Sequence, residues 1–126
     1  HEIDEILSGD TVSYMKTAAD RAHEAALIEP VILQLPAIMQ TEIRDAVQEY
    51  TAQETAEARF VKAIDKIEPV FHLYNETGKQ TLHTLKTKQA EHMRIKEPYV
   101  QDFPIIKRFT DVMNKQFVQE GFYYSN

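Results

Sequence analysis

From residue 56 to residue 74 the apolar side chains fall at Phe60, Ala63, Ile64, Ile67, Val70, Phe71 and Tyr74, at spacings of three and four. That period lines one face of an α-helix, whereas a half-buried strand alternates every second residue. Thr55 stands where an N-cap is needed, and Glu57 in the first turn complements the positive end of the helix dipole. Asp65 lies one step off the apolar stripe, where a helix touching both a core and a cavity would place it. No part of the 126 residues shows convincing period-two alternation, so the chain is expected to be all-α. With three Gly and five Pro, long irregular tracts are not expected. The length fits a single domain spanning 1–126 around one core.

The remaining helices are read from the same period and its interruptions. Residues 2–7 look like the tail of a helix stopped at Ser8-Gly9, with Gly9 suited to a left-handed C-terminal position. A chain opening inside a helix is expected to lack the helices before it. Residues 10–14 read as a loop, with Ser13 capping a helix over 15–28 that Pro30 should end or kink. A helix over 37–50 carries Ile38, Met39, Ile43, Ala46, Val47 and Tyr50 on its apolar face. Pro69 predicts a kink in the 56–74 helix, and Glu76-Thr77-Gly78 reads as a break. One helix is expected over 79–96, stopping before Pro98. Pro104 opens the last one, through Phe109, Val112, Met113 and Phe117, ending at Gly121.

A formal net charge of −6 argues against a general nucleic-acid binder, which would show a basic stripe. It leaves room for a small phosphorylated ligand, because a bound metal reverses the local field. Cysteine is absent, which removes disulfides, thiolate nucleophiles and Cys-based zinc sites. No apolar run approaches the ~18 residues of a membrane span. The longest, residues 30–39, is interrupted by Gln34 and Pro36. The acidic opening does not read as a secretory signal, so the expectation is a soluble cytoplasmic protein.

Within His1-Glu2-Ile3-Asp4-Glu5, His1 and Glu5 are four apart and share a helix face. There an imidazole can bind a metal while the carboxylate reaches a water on that metal. Glu2, about 100° around the helix, can reach the same cavity. Imidazole with carboxylates is a hard-to-borderline donor set, suited to Mn, Mg, Co, Zn or Fe. By itself a His-x-x-x-Glu pair is more often a solvated helix end. Here it is followed by Gly9-Asp10 and Lys16, then by Glu49-Tyr50, then by Ala56-Glu57-Ala58-Arg59-Phe60-Val61-Lys62 and Asp65. Together these segments resemble the HD-domain metal-dependent phosphohydrolases, in the branch that contains the 5'-deoxyribonucleotidases. In that branch a helix ending His-Asp-x-x-Glu-x-x-x-Gly-Asp and a later helix with a further Asp supply the site.

The resemblance implies an HD-like bundle of five to six helices, truncated at its N-terminus, with a family-like core over 1–75 and a helical extension over 76–126. It implies a divalent metal held by His1, Glu2 and Asp65. Glu2 stands where the family has Asp and is one methylene longer. Glu5 matches the carboxylate that activates the attacking water. Asp10 matches the one near the sugar and the water, and Lys16 would neighbour the phosphate. A further His and an Arg of the family, on an upstream helix, have no counterpart here. Of His23, His72, His83 and His92, all read as structural or exposed, His72 at two turns past Asp65 is the nearest substitute. The implied reaction is hydrolysis of a deoxynucleotide, most simply a 5'-monophosphate, with triphosphate hydrolysis as a variant. A homodimer is compatible with the sequence. The competing class is a catalytically incomplete HD-like interaction or dimerisation module, motivated by Glu2 and the missing His. Phe117, Phe122, Tyr123 and Tyr124 could then form a subunit contact, although a C-terminal packing patch explains them more simply. A chelator separates the two classes, since only the enzyme depends on a metal.

Overall fold

The computed structural model describes residues 17–125. Among them are six helices and no strand: α1 (Ala18–Ile32), α2 (Ala37–Ala52), α3 (Ala56–Leu73), α4 (Glu76–Thr84), α5 (Gln89–Val100) and α6 (Pro104–Gln119). The expected all-α class is borne out. The helices fall into two compact units, His1–Ala52 and Gln53–Asn126. The expected loop over 10–14, the Ser13 cap and the start of the first helix lie outside the described residues.

In the first unit, α1 and α2 pack together around a tight turn. Gln34 N–H reaches Val31 O at 3.1 Å and Leu35 N–H reaches Ile32 O at 3.0 Å, while Gln40 Nε2 donates to Leu35 O at 2.8 Å. Arg44 on α2 holds Glu29 on α1, with Nε donating to Oε1 at 3.2 Å, and lowers the Glu29 carboxyl below its ordinary range. Of the two outcomes expected at Pro30, an end or a kink, the helix does not end there and continues to Ile32. A proline removes one rung of the ladder, and the bond from Leu33 N–H to Glu29 O at 3.0 Å closes the final turn.

In the second unit α3 is the spine. Thr55 caps it as expected, its hydroxyl accepting from Ala58 N–H at 3.1 Å. Ala63 and Ile67 join Val100 and Ile106 in one buried cluster, flanked by Phe103 and Phe109. Val70 joins Leu82, Phe117, Phe122 and Tyr123 in a second, flanked by Leu73 and Met113. The buried face of α3 is therefore Ala58, Ala63, Ile67 and Val70, narrower than the predicted stripe. Phe60, Ile64, Phe71 and Tyr74 stay exposed. The three aromatic ones pack one side of the ring and leave the other open: Phe60 edge-on to Phe103, Phe71 stacked on Phe109, Tyr74 on Phe117 and Phe122.

Three expected boundaries are corrected. The Glu76-Thr77-Gly78 segment opens α4 instead of breaking the chain, since Asn75 caps it by accepting from Gly78 N–H at 2.9 Å. Gly78 serves close approach there, because a Cβ on it would lie 2.1 Å from Leu73 O. The single helix expected over 79–96 is two, divided after Thr84. Lys86 takes a left-handed φ of 54°, so that Lys86 N–H bonds His83 O and Thr87 N–H bonds Leu82 O. This is a Schellman closure with Lys in the place that usually holds Gly. Pro98 sits inside α5, which runs on to Val100.

The final helix opens at Pro104 and ends in a second Schellman closure, with Gly121 at φ 68°, Gly121 N–H on Val118 O and Phe122 N–H on Phe117 O. Tyr124 N–H then bonds Thr87 O at 3.0 Å and joins the two closures. Lys79 Nζ adds a bond to Glu120 O at 2.7 Å. The C-terminal aromatic segment is thereby strapped across α4, with Phe122 and Tyr123 buried.

Candidate functional site

Asp65 sits in the middle of α3, two residues after the fully buried Ala63, with about a fifth of its side chain exposed. Lys62, one turn back, and Lys66, its neighbour, bring ammonium groups to 3.4 and 3.3 Å from Asp65 Oδ2. Lys66 also lies 5.7 Å from the centre of the Tyr99 ring, which adds a cation–π contact. A carboxylate on the rim of the core is thus flanked by two cations in a chain that is acidic overall.

A third lysine approaches from below. Lys96 on α5 is buried, and its Nζ donates to Lys66 O on α3 at 2.6 Å. Burial, with the charge of Lys66 adding to it and Asp65 opposing it, pushes Lys96 down to about 8. The arrangement concentrates positive potential where Asp65 breaks the surface. Positive potential of this kind favours an anion beside the lysines, and a cation at Asp65 would have to displace or outweigh the ammonium groups on its Oδ2.

An HD-domain family model matches residues 1–107 and so takes in both motif segments and α3 through the start of α6. The chain belongs to the HD-domain family. It is also 34% identical over 84 residues to the 5'-deoxynucleotidase HDDC2 of Xenopus laevis, a match covering 64% of this chain and 42% of that protein. The chain thus spans about two fifths of the length of the curated relative it matches. No solved structure matches it significantly.

HD domains are generally dependent on a divalent metal. Of the ligand set expected in this HD-domain chain, Asp65 is described; His1 and Glu2 lie outside the described residues, as do Glu5, Asp10 and Lys16. Among the described residues no group of three His, Asp or Glu side chains could hold an ion. Asp65 offers a hard oxygen donor type on a helix and is partly exposed, with its Oδ2 taken up by Lys62 and Lys66.

The histidines behave as expected of structural or exposed residues. His72 is exposed and pairs with Glu68, one turn back on α3, rather than turning toward Asp65. His83 is exposed and meets Gly121 O at 3.0 Å. His92 is mostly buried beside Phe117 and Tyr123, with Nδ1 at 2.7 Å from Tyr123 Oη. With the Tyr123 proton given to Asn114 Oδ1 at 2.9 Å, His92 Nδ1–H is the donor in the contact with Tyr123 Oη. Burial and the charge of Lys96 hold His92 down at about 4, and burial pushes Tyr123 up to about 12.

Lys66 and Lys96 were not singled out by the sequence reading. Lys96 did leave a signal: it stands four residues from both His92 and Val100, on the face of α5 that enters the core. A lysine in that register must snorkel out or find a buried acceptor.

Proposed function

We propose that this chain carries the site of a metal-dependent phosphohydrolase acting on deoxynucleotides, most simply releasing phosphate from a 5'-deoxynucleoside monophosphate. The observation that carries this reading is the family match over residues 1–107, which includes the His1–Asp10 segment and Asp65 in a single stretch. The likeness to a 5'-deoxynucleotidase over 84 residues supports the substrate class.

In this reading His1, Glu2 and Asp65 hold the ion, and their donor chemistry suits Mn, Co, Mg, Zn or Fe. When bound, a divalent ion supplies an acidified water and neutralises charge on the phosphoryl group. Glu5 accepts the proton of the attacking water as its oxygen bonds phosphorus and the bond to the sugar oxygen breaks. The deoxynucleoside leaves with that oxygen and a proton, and inorganic phosphate remains. Asp10 orients the sugar and the water. Lys16 offers the phosphate a counter-charge, and Lys62 and Lys66 beside Asp65 extend that positive field. A cytoplasmic location and a homodimer belong to the same reading.

Substrate preference is tested by phosphate and pyrophosphate-class product release from a panel of deoxynucleoside monophosphates, ribonucleoside monophosphates and deoxynucleoside triphosphates. The reading expects release from the deoxy monophosphates first. Turnover of the triphosphates alone would move the attack to the α-phosphorus. No metal-dependent turnover of any of them would favour the incomplete interaction module, to which Glu2 in the usual Asp position already points.

A further inference from the structure

Lys62 and Lys66 stand four residues apart on α3 and so share a face of that helix, with Asp65 beside them. A lysine ordinarily carries its ammonium out into water with most of the side chain exposed. Here only 21% of the Lys62 side chain and 16% of the Lys66 side chain are exposed. Both ammonium groups come to the same oxygen, Asp65 Oδ2, at 3.4 and 3.3 Å. Two cations are therefore held close together before any ligand arrives, which lowers the ordering cost of binding one.

Positive charge converges on this point. Behind the pair, Lys96 donates to Lys66 O at 2.6 Å, so its ammonium rests on a neutral carbonyl. Held at about 8, chiefly by burial, Lys96 stays largely protonated at neutral pH. Elsewhere in the same unit the ratio of charges is reversed, since Lys107 lies between Glu97 and Asp111 at 3.4 Å from each. The contacts to Asp65 are also longer than the about 2.7–2.9 Å of a strong charge-assisted hydrogen bond. Lys66 has three N–H donors, and what it meets is Asp65 Oδ2 and the face of the Tyr99 ring. Donor capacity and charge remain there for an acceptor with several oxygens.

We propose that Lys62 and Lys66 form an anion-binding pair that takes the oxygens of a phosphate monoester directly, without an ion between them. Because both approach one carboxylate oxygen, two oxygens of a single phosphate group can meet both ammonium groups. Asp65 keeps the pair assembled and, as a like charge, opposes the ligand. In the hydrolysis described above the pair holds the phosphoryl group of the deoxynucleotide, an assignment that rests on the phosphohydrolase reading.

The test is calorimetric titration of the whole chain with inorganic phosphate and with deoxyadenosine 5'-monophosphate, in chelator and at constant chloride ionic strength. The proteins are wild type, Lys62→Met, Lys66→Met, Asp65→Asn and Lys107→Met, each checked for folding by circular dichroism. Methionine keeps the length of the partly buried stem and removes only the charge and its donors. Both ligands are expected to bind the wild type, and each of Lys62→Met and Lys66→Met to weaken binding about tenfold, as loss of a charge-assisted hydrogen bond does. Lys107→Met should leave binding unchanged, and Asp65→Asn should keep or tighten it, because a like charge is removed. No phosphate binding by the folded wild type, or binding indifferent to both lysine variants, overturns the pair. Loss of binding in Asp65→Asn overturns it too, since that is the behaviour of an anion held through a cation on the carboxylate. Binding of inorganic phosphate without the monophosphate overturns the assignment to substrate. Lysine-dependent binding of both ligands, with no turnover of any deoxynucleotide under any metal, leaves the pair standing and overturns the phosphohydrolase reading instead.

Discussion

Around Asp65 the protein gathers charge; around His92, one turn of α5 away from Lys96, it removes it. Asp65 keeps a fifth of its side chain at the surface and has ammonium groups at 3.3 and 3.4 Å, with the Lys96 side chain behind. His92 lies against Phe117 and Tyr123, keeps a neutral ring, and ties Tyr123 and Asn114 into a closed set of hydrogen bonds. The two regions use the same kinds of residue that metal enzymes use, yet Asp65 lies among ammonium groups and His92 among aromatic rings. A histidine in a helical protein is thus weak evidence for a ligand until its environment is known. Asp65, at the rim of a core, is instead placed by its ion pairs with Lys62 and Lys66.

The largest expected effect separates the two regions outright. Asp65→Ala should lower metal-dependent phosphate release by at least about a hundredfold while the chain still unfolds cooperatively. His92→Phe should do the opposite, keeping turnover and lowering the unfolding temperature, as read by steady-state kinetics and circular dichroism on the same samples. Equal losses of turnover in both would break the comparison.

Acid should act on the His92 region next. Its folded value of about 4 lies below the ordinary 6.5, so the fold holds the neutral ring. That contribution is complete above pH 6.5 and is lost as pH falls from 6.5 toward 4, because the unfolded chain takes up the proton first. The loss reaches at most about 3 kcal/mol. Urea unfolding across that range should show it in the wild type, and the His92→Phe variant should lack that part of the slope.

A smaller effect is expected from Tyr123→Phe, which removes the hydroxyl shared by His92 and Asn114. The cost should be about 1–3 kcal/mol, because a buried donor and a buried acceptor both lose their partner. Metal binding should not change. The smallest effect has the opposite sign. Lys86→Gly relieves a left-handed backbone and should stabilise the chain by up to about 1 kcal/mol. It firms the closure that holds the strap over His92 and leaves the Asp65 region untouched, so a gain in stability with unaltered turnover would sharpen the contrast.

The helical class, the Thr55 cap, the α2 and α3 segments and the Pro104 opening were legible because period and capping chemistry are local. The break after Thr84 was not, since its left-handed residue is Lys86 and carries none of the usual signal. The matching closure at Gly121 was legible because glycine marks it. Gly78 misled for a related reason: it reads as a breaker but is required by the Leu73 carbonyl beside it. The stripe on α3 was drawn too wide because period cannot tell a buried ring from one that covers its neighbours on one side only, as Phe71 does over Phe109. At the candidate site Asp65 could be reached through the family resemblance. Lys96 was marked only by its register with His92 and Val100, and its acceptor, Lys66 O, comes from the contact of α3 with α5, which no local pattern encodes.

The most direct test of the central claim is phosphate release from a deoxynucleoside monophosphate by the chain, measured with metal removed by chelator and with Mn or Co restored. The account predicts no release after chelation and full recovery on adding back the ion. Release that is indifferent to chelation, or a folded chain that stays inactive with every ion, would contradict it.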